Sequence, residues 1–211
     1  MDRMAVIDFE TTGLSPDMGD RAIEIAAVIV EKNRIVDRFQ SLMNCGLAIP
    51  PFIQQLTGIN NQMLEDAPKS SAVMKDFAGF AGNIPLIAHN ASFDQKFLDA
   101  EWRRVGIKRR QPVICSMLLS RRVYQDSPNH KLGTLASFLN LPVCGNFHRA
   151  MADAEVTAHL MFRMAQDLRH RYGRMDLLDH VLLGHLQKIP KGEVGRFMMK
   201  KNSCSRDRTA L

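Results

Sequence analysis

The sequence predicts an α/β layer architecture. Three observations carry that expectation. Apolar runs of strand length open the chain, strand and helix signals then alternate, and a long amphipathic helix follows with apolar positions three or four residues apart.

Taken in order, residues 4–10 form a first strand, closed by the turn-rich TTGLSPDMGD. AIEIAAVIVEKNRIVDRFQSLMN reads as two strands joined by a turn near Lys32 and Asn33, with Glu24 the odd polar member. PPFIQQLTGINNQMLEDAP is mixed loop and short helix, broken at both ends by proline. KSSAVMKDFAGFAG is helical, and IPLIAHN is a short buried strand. A helix runs from Ser92 to Val105, PVICSMLLSRRVYQ is a strand running into a helix, and KLGTLASFLNL is a short helix stopped before Pro142. The clearest helix spans Ala150 to Arg171, where Ala150, Ala154, Thr157, Met161, Met164 and Leu168 make one buried stripe. After Gly173 come the amphipathic MDLLDHVLLGHLQ and a basic tail with Pro190, Gly192 and Gly195. One domain is therefore expected over residues 1–172, and a C-terminal helical segment and basic tail over 173–211, frayed in its last ten residues.

No apolar run approaches the ~18 residues a membrane span needs, and no signal-peptide core follows Asp2 and Arg3, so neither a membrane partner nor export is expected. Cys45, Cys115, Cys144 and Cys204 are scattered without a CxxC pair. That speaks against a zinc knuckle or a disulfide framework and suits a reducing cytoplasm. The net charge of +6 is unevenly placed: residues 188–211 hold seven Lys/Arg against two Asp/Glu, and RRVGIKRR makes a second cluster from Arg103 to Arg110. Such patches fit a polyanionic partner, nucleic acid among them.

The first strand also carries a chemical signal. Asp8 and Glu10 lie two apart and so share one face of an otherwise apolar strand. Asp94 heads the apolar stripe of its helix, with Phe97, Leu98 and Val105 below it. Asp153 heads the stripe of the long helix, above Val156, Thr157, Leu160 and Met164. Both sit near helix N-termini, where partial positive charge favours an anion. Four carboxylates converging at ~5 Å would repel pairwise by roughly 3 kcal/mol at an effective dielectric of ~20. Such a cluster needs cations or raised pKa values. Hard oxygen ligands without a Cys/His set point to Mg²⁺ or Mn²⁺, and two such ions would cancel the four charges and leave sites open to phosphate oxygens. His148 precedes Asp153 by five, roughly 140° around an ideal helix. To share a site it must lie on the loop before the helix, where Gly145 and Asn146 favour mobility. A histidine so placed can take a proton from a metal-bound water. Glu155 and His159 read as a helix-face pair, and His89, ending a buried strand, as a structural hydrogen-bonding residue.

VIDFETTGL, LIAHNASFDQKFL and HRAMADAEVTAHL, in this order, resemble the three motifs of the DnaQ-like (DEDDh) 3′–5′ exonucleases, over about residues 4–170. The resemblance leans to the DNA polymerase III epsilon or proofreading branch. It implies a ribonuclease H-like fold, a mixed central β-sheet flanked by helices, and two-metal release of nucleoside 5′-monophosphates from a free 3′ end. Carried over by motif, Asp8, Glu10, Asp94 and Asp153 would ligate the metals and His148 would be the general base. Arg149 stands where the sister group keeps a catalytic tyrosine, which places the chain in the histidine class. The resemblance further implies that Thr11, Thr12 and Gly13 line the terminal nucleotide, that Leu14 wedges against its base, and that Asn90 shapes the pocket. Thr57, in QLTGIN, stands where relatives often carry histidine.

Three readings stay open on these residues: an exonuclease favouring DNA, an exoribonuclease, and a polymerase-associated nucleic-acid-binding subunit that docks a DNA polymerase subunit through residues 174–211.

Overall fold

The computed structural model describes residues 2–143, 148–173 and 179–206, with 202–206 described by backbone alone. Its centre is a five-stranded mixed sheet of order β3-β2-β1-β4-β5. β1 (Met4–Thr11) pairs antiparallel with β2 (Ala22–Glu31), and β2 antiparallel with β3 (Arg34–Leu42), whose tight turn places Lys32 and Asn33 at positive φ. β4 (Leu86–Ala88) and β5 (Val113–Cys115) run parallel to β1.

Between β3 and β4 lie α1 (Pro51–Thr57), α2 (Asn61–Glu65) and α3 (Ser70–Ala81). α4 (Ser92–Arg104) makes the crossover to β5, and α5 (Ser116–Val123), α6 (Leu132–Phe138) and α7 (Ala150–Tyr172) follow. Two further helices close the described chain, α8 (His180–Leu186) and α9 (Val194–Arg206).

Alternation along β1 divides the core. Met4 and Val6 join Val28, Val30 and the Leu160, Met161, Met164 and Leu168 stripe of α7 on one side. Ala5, Ile7 and Phe9 join Ile25, Ala27 and Ile29 on the other, under Phe77 of α3 and Leu98 and Trp102 of α4. Covered on both faces, β1 and β2 are nearly continuous apolar runs, as such strands must be. The mixed sheet flanked by helices agrees with the expected class.

Beyond residue 173 the expected tail takes a different form. Val194 to Arg206 is helical, and Leu182, Leu183, Leu186, Val194 and Met198 belong to the same buried cluster as α7. Gln187 accepts the Cys115 N–H at 2.8 Å, so this segment also satisfies the open edge of β5. The expected fraying of the last residues and the mobile Gly145-Asn146 loop fall, for 207–211 and 144–147, outside the described residues. Glu155 is committed to Arg38 of β3 at 2.7 Å while its charge also acts on His159, which packs edge-on against Phe162. No helix among the described residues is long and apolar enough to cross a membrane.

Candidate active site

The site lies at the carboxyl end of β1, where β4 has already ended. β4 matches β1 only at Ala5 and Val6, and its chain then turns through Asn90, held at φ 67°, into α4. The β1 amides facing β4, beginning with Ala5 N–H to Pro85 O, therefore run out of strand partners. The Asp94 carboxylate accepts from Phe9 N–H instead, and from its own backbone amide. A helix N-terminus thus caps the broken ladder and brings an acid to it.

On the other side α7 comes close because the contact is built from small residues, Ala26 on β2 against Ala150 and Ala154. That approach gathers Asp8, Glu10 and Asp153, with one carboxylate oxygen from each within 4.8 Å of the others. Asp94 stands just outside this group, 2% exposed, and its charge still acts on Asp8 and Glu10.

Burial is the first cause of every pKa displacement here, and repulsion adds to it at Asp8, Glu10 and Asp94. Asp8 is pushed well above the carboxylate range by burial, then by Asp94, Asp153, Glu10 and Glu24. Glu10 rises to about 8, against the partial relief of Arg149. Asp94 rises to about 7 despite its two amide donors, and Asp153 is raised by burial against the His148 amide.

Whether this cluster suits a cation can be read from its lone pairs. Asp153 Oδ2 accepts His148 N–H at 3.1 Å, while Oδ1 is buried without a hydrogen-bond partner among the described residues. A buried bare carboxylate oxygen is rare and calls for an ion or water. Set beside two further acids, with hard oxygen donors only, it fits a divalent metal. His148 lies on the loop before α7, as required, exposed and at φ 66°.

The expected nucleotide-contacting residues divide. Leu14 is 81% exposed at the tip of the β1–β2 loop, and Asn90 is exposed at the start of α4. The threonine hydroxyls turn inward. Thr11 donates to Gly13 O (2.6 Å), Thr12 donates to Asp20 Oδ1 (3.4 Å) and accepts from Arg21 N–H, and Thr57 donates to Ile53 O (2.8 Å) and accepts from Ile59 N–H. Gly13 packs so closely on Asp20 that a Cβ would collide with the carboxylate.

Sequence reasoning missed the residues that fix this loop. Asp20 also accepts Ser15 N–H at 2.9 Å, and Arg21 forks onto Glu101 of α4 at 2.7 and 2.9 Å. Their only signal was charge beside a turn, which surface loops share. His89 behaves as expected of a structural residue. Nε2 donates to His130 O (2.9 Å), so Nδ1 accepts from Ser116 Oγ (2.8 Å), and burial lowers its pKa to about 4.

Comparisons with known proteins agree with this geometry. Over 164 residues the chain is 40% identical to the PolC-type DNA polymerase III of Caldanaerobacter subterraneus, covering 78% of this chain and 12% of that protein. It is 39% identical over 168 residues to the 3′-5′ exonuclease DinG of Bacillus subtilis, covering 79% of this chain and 18% of that one. The chain thus spans a small part of the curated relatives it matches. A solved structure of exonuclease X in complex with 5′ overhanging duplex DNA superimposes with a TM-score of 0.65 at 27% identity, over 77% of this chain and 91% of that one. The fold is the ribonuclease H-like fold expected. The RNase_T exonuclease family model matches residues 5–161, a span that holds all four acids, the Gly13 loop and His148; the chain belongs to that exonuclease family.

Proposed function

We propose that this chain is a metal-dependent 3′–5′ exonuclease that releases nucleoside 5′-monophosphates from a free 3′ end, with DNA favoured. The observation that carries the reading is the Asp8, Glu10, Asp153 cluster with its bare, buried Asp153 oxygen. Asp8, Glu10, Asp94 and Asp153 would hold two divalent ions, Mg²⁺ or Mn²⁺. Bound there, the ions would supply Lewis-acid stabilisation of the charge that builds on the phosphate and leaving oxygens. His148 takes a proton from the attacking water as its oxygen bonds to phosphorus and the bond to the 3′-oxygen breaks. The exposed side chain on a loop clamped at Asp153 suits that task. Leu14 bears on the terminal base, the Thr11, Thr12 and Gly13 backbone lines the sugar, Asn90 borders the pocket, and Thr57 shapes it through its hold on α1.

DNA is favoured over RNA because the relatives at about 40% identity are a DNA polymerase and DinG, and exonuclease X is solved on duplex DNA. The polymerase context of those relatives also supports a polymerase subunit as partner through residues 174–211. The described part of that segment already commits Leu182, Leu183, Leu186, Val194 and Met198 to the core, which leaves its exposed face, with Val181 and Met199, for docking. We place the enzyme in the cytoplasm.

The test is a ladder assay on 5′-labelled DNA and RNA, single- and double-stranded, with Mg²⁺ and with Mn²⁺. Stepwise shortening from the 3′ end, faster on DNA, is expected, and Asp8→Ala should lower it roughly 10²-fold or more. Equal rates for wild type and Asp8→Ala would overturn the reading.

A further inference from the structure

A fifth carboxylate adjoins the site. Glu24, fully buried on β2, stands directly across from Glu10 in the strand register. Unlike Asp153 it has no oxygen to spare. Oε1 accepts from Gln40 Nε2 (2.9 Å) and Arg149 Nη2 (3.1 Å), while Oε2 accepts from Ala150 N–H (3.1 Å) and Arg149 Nε (3.3 Å). Four donors fill the carboxylate's lone pairs. Glu24 is therefore not arranged to ligate a cation, although its charge acts on Asp8 and Glu10.

Its donors show what it holds. Arg149 is the N-cap residue of α7 and makes no side-chain cap of its own. Ala150 N–H is one of the amides that a helix start leaves without an intrahelical partner. Glu24 caps the helix from the neighbouring strand. The residue on the far side of Arg149 is His148, whose left-handed backbone is costly for a non-glycine residue and persists only where its neighbours hold it. Two fixed points do so: Arg149 on Glu24, and His148 N–H on Asp153 Oδ2. The second bond occupies one Asp153 oxygen and leaves Oδ1 for the cluster. Charge follows the same plan. Arg149 cancels Glu24, so four carboxylates remain, the number two divalent cations neutralise.

We propose that Arg149 and Glu24 are a positioning pair for the catalytic centre, locking the first turn of α7 to the sheet so that His148 is aimed at the acid cluster. The inference rests on the nuclease reading and adds to it two residues that touch neither metal nor substrate. Packing alone does not require an ion pair here, since apolar residues of similar volume serve a buried contact as well or better.

The experiment uses the full chain with Arg149→Gln, Glu24→Gln and Arg149→Lys. Three quantities are read: kcat and KM on the p-nitrophenyl ester of thymidine 5′-monophosphate, Mn²⁺ binding by calorimetry without substrate, and thermal melting. Arg149→Gln should lower kcat about tenfold or more with KM changed by less than about twofold. Its Mn²⁺ affinity should hold or rise, because the charge left behind is negative. Glu24→Gln should also lower kcat, yet weaken Mn²⁺ binding severalfold, because an unmatched guanidinium remains beside the acids. A merely structural pair would move both quantities in parallel in the two variants, and that outcome overturns the proposal. Should Arg149→Gln melt below the assay temperature, Arg149→Lys decides. It keeps the charge and loses the fork, so Mn²⁺ affinity should stay and kcat fall about threefold or more; wild-type kcat there overturns the proposal. A wild-type chain that binds Mn²⁺ and cleaves nothing overturns the nuclease reading instead, while the opposed Mn²⁺ shifts still decide the pair.

Discussion

At Gly13 a hydrogen stands where any other residue would place a carbon inside the Asp20 carboxylate. That carboxylate also holds Ser15 N–H and the Thr12 hydroxyl, so the loop bearing Leu14 is shaped before a nucleotide arrives. Gly13→Ala should therefore cost about 1–3 kcal/mol of stability, the usual penalty of overpacking. It should also lower kcat/KM about tenfold, as a small displacement of positioning groups does. Melting curves beside steady-state kinetics check this; a lower Tm with wild-type kcat/KM would mean that the loop does not touch the terminal nucleotide. At this scale the acids were readable, because Asp8 and Glu10 break an apolar run and Asp94 and Asp153 each begin an apolar stripe. The direction of a hydroxyl was not. Thr12 and Thr57 bond within their own segments, and nothing in TTGL or QLTGIN distinguishes that from a ligand contact.

Among the elements, β1 and α7 were legible for different reasons: β1 is a nearly continuous apolar run of strand length, and α7 is long with a buried stripe at three- and four-residue spacing. α9 was not. Among its described side chains Val194 and Met198 are buried and Phe197 packs partly against the core, in a basic stretch interrupted by Gly192 and Gly195, and these few apolar residues do not make a period. The Glu24–Arg149 pair was half visible: the charge in AIEIAAVIV stood out, but its partner lies 125 residues away. The consequence for α8 and α9 is a stability argument. Leu182, Leu183, Leu186, Val194 and Met198 each contribute about 1.5–3 kcal/mol when buried, together comparable with the 5–15 kcal/mol that holds a whole domain. A chain ended at Gly173 would also uncover the sides of β5 and α5 on which α8 packs and unpair the Cys115 amide. The 1–173 fragment should accordingly lack a cooperative melting transition or aggregate. A fragment that melts within a few degrees of the full chain would show that α8 and α9 are a separable tail.

For the molecule as a whole, the acid cluster sets catalysis against stability. Asp8, Glu10, Asp94 and Asp153 all have folded-state pKa values above their ordinary ones of 3.8 and 4.5, Glu10 reaching about 8 and Asp94 about 7. An acid shifted upward binds its proton more tightly folded than unfolded. Its favourable contribution is complete below the unfolded pKa and is lost as pH rises through the folded one. The metal-free protein should then lose stability steadily between about pH 4 and pH 8, each tenfold gain in proton affinity on folding being worth ~1.4 kcal/mol. Cations reverse this, because they bind the deprotonated acids and relieve their repulsion, adding about 2.7 kcal/mol at a hundredfold excess over Kd. Melting curves in chelator and in Mn²⁺ from pH 5.5 to 8.5 should therefore diverge: a small metal-induced rise in Tm at pH 5.5, and a growing one above pH 7. Asp8→Asn separates repulsion from any general effect of alkali. With one charge gone from the centre of the cluster, its chelated form should melt above the chelated wild type at pH 8, while Mn²⁺ stabilises it much less. A metal-induced shift that is flat across this range, or a chelated wild type that grows more stable from pH 5.5 to 8, would show that these carboxylates are not forced together as the geometry of β1 and α7 requires.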